Sequence, residues 1–196
     1  MKARPSIVIL SGEAGSGKTT ICTQVVALAQ GLVVAGVLTL PRFAGGCKVG
    51  LDVEDIRTGQ RRPLAERVEA TDGPATEGWH FHADGLAWGS MILRRATPCD
   101  LLVIDELGPL ELAQGQGWMV GLDLLRASRY RLALVVVRPA LLPCFRERLG
   151  GVEPLTLAVT EANREALPRE ITALLGPCCG QKPFPRDAVG WHFADT

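Results

Sequence analysis

The chain has 196 residues, 47 % hydrophobic and 21 % charged, and its 21 basic and 21 acidic side chains cancel. That length suits one domain whose core needs no covalent staples. Zero net charge gives no bulk attraction to nucleic acid or a membrane surface, no apolar run nears the roughly 18 residues of a spanning helix, and nothing reads as a signal peptide.

In chain order, Ile7-Val8-Ile9-Leu10 is a short β-branched apolar run, the pattern of a buried strand. Behind it, Gly12-Glu13-Ala14-Gly15-Ser16-Gly17-Lys18-Thr19-Thr20 fits G-x-x-x-x-G-K-[ST] at every fixed position, and Ile21 to Ala29 can continue as a helix. Strand, glycine-rich loop and helix together make a phosphate site. The glycines let backbone N–H groups point inward, and the helix N-terminus favours an anion. Lys18 then reaches the β- and γ-phosphates of a nucleoside triphosphate, and the Thr19 hydroxyl is a candidate Mg²⁺ ligand.

Leu32 to Leu40 reads as a second buried strand, broken by Pro41 and Gly45-Gly46. Cys47 to Ile56 reads as a strand, Thr58-Gly59-Gln60 as a turn, and Arg62 to Ala65 as the return arm of a polar hairpin insertion, about 45–68, lying as a flap at the sheet edge. Arg57, Arg61, Arg62 and Arg67 there form the best candidate for a basic patch. Residues 69 to 78 read as a loop, Trp79 to His82 as a short strand, and Asp84 as the N-cap of a helix through Ala96. Cys99 to Ile104 is a third buried strand, and it ends in Asp105-Glu106. Trp118 to Ser128 reads as a helix, Leu132 to Val137 as a strand, and Pro139 to Leu149 as a helix. Leu155 to Val159 is a last strand, with a helix from Glu161 to Leu175 capped by Thr160. Strands alternating with helices imply an α/β domain over 1–175, a mainly parallel sheet with helices on both faces. Residues 176–196 form a C-terminal tail.

Asp105 supplies what the phosphate loop lacks. It stands at the C-terminal end of a central strand, outside which ligands of open α/β sheets bind. There it can hold Mg²⁺ opposite Thr19, and Glu106 behind it can polarise an attacking water. Glu106 reads otherwise as a loop cap or an arginine partner. Arg42, Arg62, Arg94 and Arg138 flank strand ends. One of them, with Arg62 and Arg138 preferred, is a candidate for stabilising transition-state charge, although most arginines are surface groups. Glu111 reads either as part of the Mg²⁺ water shell or as an arginine partner. The six cysteines show no spaced framework, so free thiols are expected. Cys178-Cys179 with His192, and His80 with His82, lack the ligand count and spacing of a zinc site. The four tryptophans read as core or interface.

Several stretches converge on one family. Gly36 to Thr39, Gly45 to Asp52, Gly59 to Ala65, Val103 to Leu112 and Val159 to Pro168 resemble, in this order, the small P-loop nucleoside-triphosphatases related to the human cancer-related nucleoside-triphosphatase. The resemblance covers roughly residues 5 to 175. It implies a RecA-like fold and slow Mg²⁺-dependent hydrolysis of nucleoside triphosphates to diphosphates with loose base selectivity. Lys18, Thr19 and Asp105 would bind phosphate and metal, and Glu106 would act on water. The chain departs from the family pattern at Leu40 and Pro41. Pro109 stands where relatives carry Lys, and Arg138-Pro139 where they carry His.

The reading is therefore a cytoplasmic nucleoside-triphosphate phosphohydrolase that uses Mg²⁺ and has no nucleic-acid or membrane partner. Two rivals stay open. A small nucleoside or nucleotide kinase needs a second, acceptor pocket. An accessory or switch protein would couple NTP binding to an unidentified protein partner, such as an enzyme under maturation.

Overall fold

The computed structural model describes residues 6–67, 75–76 and 78–176; the tail features at 178–193 and most of the 69–78 loop lie outside them. Nine strands make one sheet: β1 (Ser6–Ser11), β2 (Val34–Ala44), β3 (Cys47–Asp55), β4 (Arg61–Arg67), β5 (Ala75–Thr76), β6 (Trp79–Phe81), β7 (Cys99–Ile104), β8 (Tyr130–Val136) and β9 (Leu155–Ala158). Their order is β5-β6-β4-β3-β2-β7-β8-β1-β9. The five strands from β2 to β9 in this order run parallel, and the other four are added antiparallel.

The parallel strands bury both faces, and their residues divide by a period of two. Ile7 and Ile9 of β1, Leu102 and Ile104 of β7, and Ala133 and Val135 of β8 join one core. Helices α2 (Ala83–Arg94), α4 (Val120–Ala127) and α5 (Leu142–Leu149) cover it through Trp88, Leu122 and Phe145. Val8, Leu10, Leu101, Val103, Leu132 and Leu134 face the other core, with Ile21 and Val25 of α1 (Lys18–Leu28) and Ile171 of α6 (Leu167–Leu174). A short helix, α3 (Pro109–Leu112), follows β7. β2 and β7 approach closely at Gly36, where a Cβ would lie 1.9 Å from the Val103 carbonyl oxygen and φ is 123°.

Four expectations need correcting. The hairpin is no edge flap: β3 and β4 sit between β2 and β6, inside the sheet. Pro41 does not end β2, which runs on to Ala44 and pairs Pro41 with Leu51. Thr39 aims its N–H at Asp105, away from β3. Pro41, two residues on, has its missing N–H on the same side, past the end of β7, so no ladder bond is lost. His82, not Asp84, is the N-cap of α2, and Asp84 lies in its first turn. The last helix begins at Leu167 rather than Glu161. A longer helix would place Pro168 in its interior, where the ring forbids the i→i−4 bond. Asn163 instead accepts the Thr160 N–H and donates to the Ala158 carbonyl, which holds a turn.

Candidate active site

β1, β7, β8 and β9 all end at one edge of the parallel sheet. Their ends are stitched by Leu107 N–H to the Val136 carbonyl, Val137 N–H to that of Leu10, and Val159 N–H to that of Ser11. The phosphate loop leaves β1, Asp105 and Glu106 leave β7, and Arg138 leaves β8, which lies between them. The strand order thus brings Arg138 between loop and carboxylates.

Gly17 makes the junction of loop and α1. It is the N-cap at φ 95°, a left-handed conformation that a side chain disfavours, and no side chain occupies the first-turn N–H groups. Lys18 folds along the loop: Nζ donates to the carbonyls of Gly12 (2.7 Å) and Glu13 (2.6 Å) and to Ser16 Oγ (3.3 Å). Burial lowers its pKa, offset in part by Glu106 and Asp105.

Asp105 is 1 % exposed. Burial raises its carboxyl to about 7, against the hydrogen bonds it accepts from the Thr39 amide and the Thr19 hydroxyl. The Thr39 N–H bond is 3.1 Å long, and the Thr39 hydroxyl donates to the Asp105 carbonyl at 2.7 Å. Thr39 therefore fixes Asp105 at both ends. Thr19 and Asp105, a hydroxyl and a buried carboxylate in contact, are hard oxygen donors suited to Mg²⁺. No group of three or more His, Cys, Asp or Glu assembles a metal cage among the described residues. With one carboxylate and one hydroxyl as protein donors, phosphate and water would complete the shell of an ion held there.

Glu106 has φ 88°, outside the range that non-glycine residues favour. That backbone twist sends its side chain away from Asp105 to Arg138, whose Nε donates to Oε1 at 2.7 Å. Both side chains are part-exposed, so the pair is worth little as a stability element. Its position at the sheet edge that carries the phosphate loop gives it significance.

Glu111 belongs to neither alternative read from the sequence. Its two oxygens accept the N–H groups of Gly108 (3.0 Å) and Trp118 (2.9 Å), and burial raises its pKa. It braces the turn after Glu106. Arg62 stacks over the Trp88 ring at 5.0 Å. The basic patch is dispersed as well. Arg57 donates to the carbonyls of Arg95 and Ala96 beyond α2, and Arg61 pairs with Glu54. Arg42 bridges to Glu66, and the His80 and His82 rings meet edge-on 6.0 Å apart.

Lys48 was not distinguishable in the sequence. It stands over the Trp79 ring at 5.0 Å and lines one cleft with Glu106 and Arg138. Burial lowers its pKa, with Glu106 opposing. Thr39 did leave a signal: a hydroxyl within an apolar strand needs a partner.

Comparison with known proteins gives the family and the fold. A family model described as NTPase spans residues 7–172. The chain belongs to this NTPase family. Nucleoside-triphosphatase THEP1 of Thermofilum pendens is 33 % identical over 175 residues, covering 85 % of this chain and 96 % of that protein. The THEP1 of Methanosarcina acetivorans is 30 % identical over 169 residues, covering 84 % and 94 %. The solution structure of a human cancer-related nucleoside triphosphatase superposes with TM-score 0.63 at 25 % identity, covering 87 % of this chain and 97 % of that one. THEP1 from the hyperthermophile Aquifex aeolicus, at TM-score 0.68 and 17 % identity, shares the fold over 87 % and 99 %. The NTPase family match stops short of the tail. No helix among the described residues is long and apolar enough to cross a membrane.

Proposed function

We infer that the protein hydrolyses nucleoside triphosphates to diphosphates and phosphate. The observation that carries this reading is that the phosphate loop, Asp105 with Glu106, and Arg138 leave neighbouring strands at one sheet edge, with Arg138 bound to Glu106 at 2.7 Å. The loop amides from Gly12, Glu13, Ala14, Gly15, Ser16 and Gly17 to Thr20 cradle the triphosphate, and Lys18 turns from its loop carbonyls to the β- and γ-phosphates. Thr19 and Asp105 hold Mg²⁺, which supplies charge neutralisation at the phosphates. Glu106 orients the attacking water and takes its proton, and Arg138 is placed to exchange its carboxylate partner for γ-phosphate oxygen. Arg138 thereby takes the transition-state role, and Arg62 is left to the Trp88 stack. Because Glu106 is held by Arg138, the carboxylate must be released before it serves water, which fits slow turnover. The same latch keeps a partner-triggered switch in view, since a protein that turns Arg138 from Glu106 toward the γ-phosphate would speed hydrolysis. Nucleoside triphosphates as substrates favour a cytoplasmic reaction.

Phosphate release measured across the common nucleoside triphosphates, with and without Mg²⁺, tests the reading. Glu106→Gln keeps binding of a non-hydrolysable analogue and slows release by about 10²–10⁴-fold, the worth of a general base. Near-normal turnover in that variant would remove Glu106 from the chemistry.

A further inference from the structure

Hydrolysis needs room for one water beside the γ-phosphate, yet a far larger space opens there. An open cleft of about 70 Å³ has Lys48, Glu106 and Arg138 on its polar side and Leu51, Leu64, Trp79, Phe81, Leu86 and Trp118 as an apolar wall. It lies between the β3–β4 hairpin, β6, α2 and the turn that Glu111 braces. That is room for several waters, one needing roughly 10–15 Å³ on the same measure.

The wall is preformed. Trp118 is 3 % exposed, and its indole N–H donates to the Leu86 carbonyl at 3.1 Å. The ring packs so closely on α2 that a Cβ at Gly89 would lie 2.5 Å from Trp118 Nε1. Glu111 holds the backbone of Trp118 from the other side. A cleft built this way does not close on itself when a ligand leaves, so binding escapes much of the ordering cost.

The polar groups of the wall are already engaged. The Trp118 indole N–H serves Leu86, both Glu111 oxygens serve backbone amides, and the Thr39 hydroxyl serves Asp105. A nucleobase would meet aromatic and aliphatic surface with these groups unable to read its edge. A flat apolar ring fits instead. The reactive polarity is concentrated on the side that the cleft shares with the phosphate site.

Resting on the placement of the γ-phosphate beside Glu106, we propose that this cleft binds a small apolar, ring-bearing alcohol as a second substrate and phosphoryl acceptor. The alcohol oxygen attacks the γ-phosphorus, and the new O–P bond forms as the bond from that phosphorus to the β,γ-bridging oxygen breaks. The bridging electron pair leaves with the diphosphate. The hydroxyl proton passes to Glu106 and from there to solvent. Water attack is then the same step with the cleft unfilled by alcohol.

Naphthylmethanol and methylnaphthalene, alike in rings and differing in the hydroxyl, serve as probes on the full chain with Mg²⁺ and γ-labelled ATP. Both are expected to quench tryptophan fluorescence saturably, and only naphthylmethanol acquires label. Leu64→Trp, which fills the cleft, weakens both probes by at least about tenfold, a loss readable as lost binding energy. Leu86→Trp, at a less buried position, does the same should Leu64→Trp not fold, and a non-hydrolysable ATP analogue reports folding of each. Absence of saturable binding overturns the proposal, as does binding with all label still released as inorganic phosphate. The hydrolase reading stands or falls separately, on phosphate release without either probe.

Discussion

Asp105 gains most of its character from burial. Its carboxyl moves from 3.8 to about 7 on folding, so between those values the folded protein keeps a proton that the unfolded chain has released. Stability from this group is full below the unfolded value and is lost as pH rises through about 7. At about 1.4 kcal/mol per pKa unit the loss amounts to roughly 4 kcal/mol. Melting without added Mg²⁺ or nucleotide should therefore show a Tm falling from about pH 5 to about pH 8, and Asp105→Asn should flatten that fall. An equal slope in the variant would mean that the carboxyl is solvated. Lys18→Ala should abolish most triphosphate binding, since Lys18 is the cation that the loop fixes to the β- and γ-phosphates; calorimetric titration with a non-hydrolysable analogue checks this. Lys18, Thr19 and Asp105 were legible because the loop motif and a strand-end acid define positions along the chain. Lys48 and the role of Glu111 were not. Lys48 reaches the site only through the antiparallel pairing of β2 with β3, and Glu111 takes its meaning from two backbone amides that come near it in the folded turn.

At the scale of elements, the parallel strands were legible because burial on both faces leaves continuous apolar runs. The errors arose where tertiary context overrides local punctuation. Pro41 resembles a strand breaker until β7 is seen to end before it. Glu161 to Ala166 resemble a first helical turn until the Asn163 side chain is seen bound to the Thr160 amide and the Ala158 carbonyl, where it holds a turn. Gly36 carries the tightest demand of this kind. Its left-handed φ of 123°, with the Val103 carbonyl oxygen 1.9 Å from the point an alanine methyl would occupy, leaves no room for a side chain. Backbone strain and overpacking each cost about 1–3 kcal/mol, so Gly36→Ala should lose at least about 2 kcal/mol in urea unfolding. An unchanged midpoint would show that β2 and β7 do not pair in this register.

At the scale of the whole molecule, the question is where the domain closes. Leu167, Ile171 and Leu175 are all buried in the core that also holds Ile21 and Val25 of α1. The Leu175 carbonyl accepts from Arg131, whose guanidinium pairs at 3.1 Å with the buried Asp100, and Asp100 in turn takes the Val33 N–H at 2.9 Å. This chain of bonds ties the end of α6 to β8, β7 and the entry to β2. We therefore place the boundary just after it and expect residues 1–176 to melt cooperatively and to bind a non-hydrolysable ATP analogue as the full chain does. A chain ending at Ala166 makes the contrast. It removes three buried leucine or isoleucine side chains worth about 1.5–3 kcal/mol each, a sum comparable with the whole stability of a domain, and it uncovers one face of the parallel sheet. That shorter chain should be insoluble or lack a cooperative melt. If instead the chain ending at Gly176 fails while its secondary structure forms, the remaining residues contribute to the core and the domain extends into 177–196.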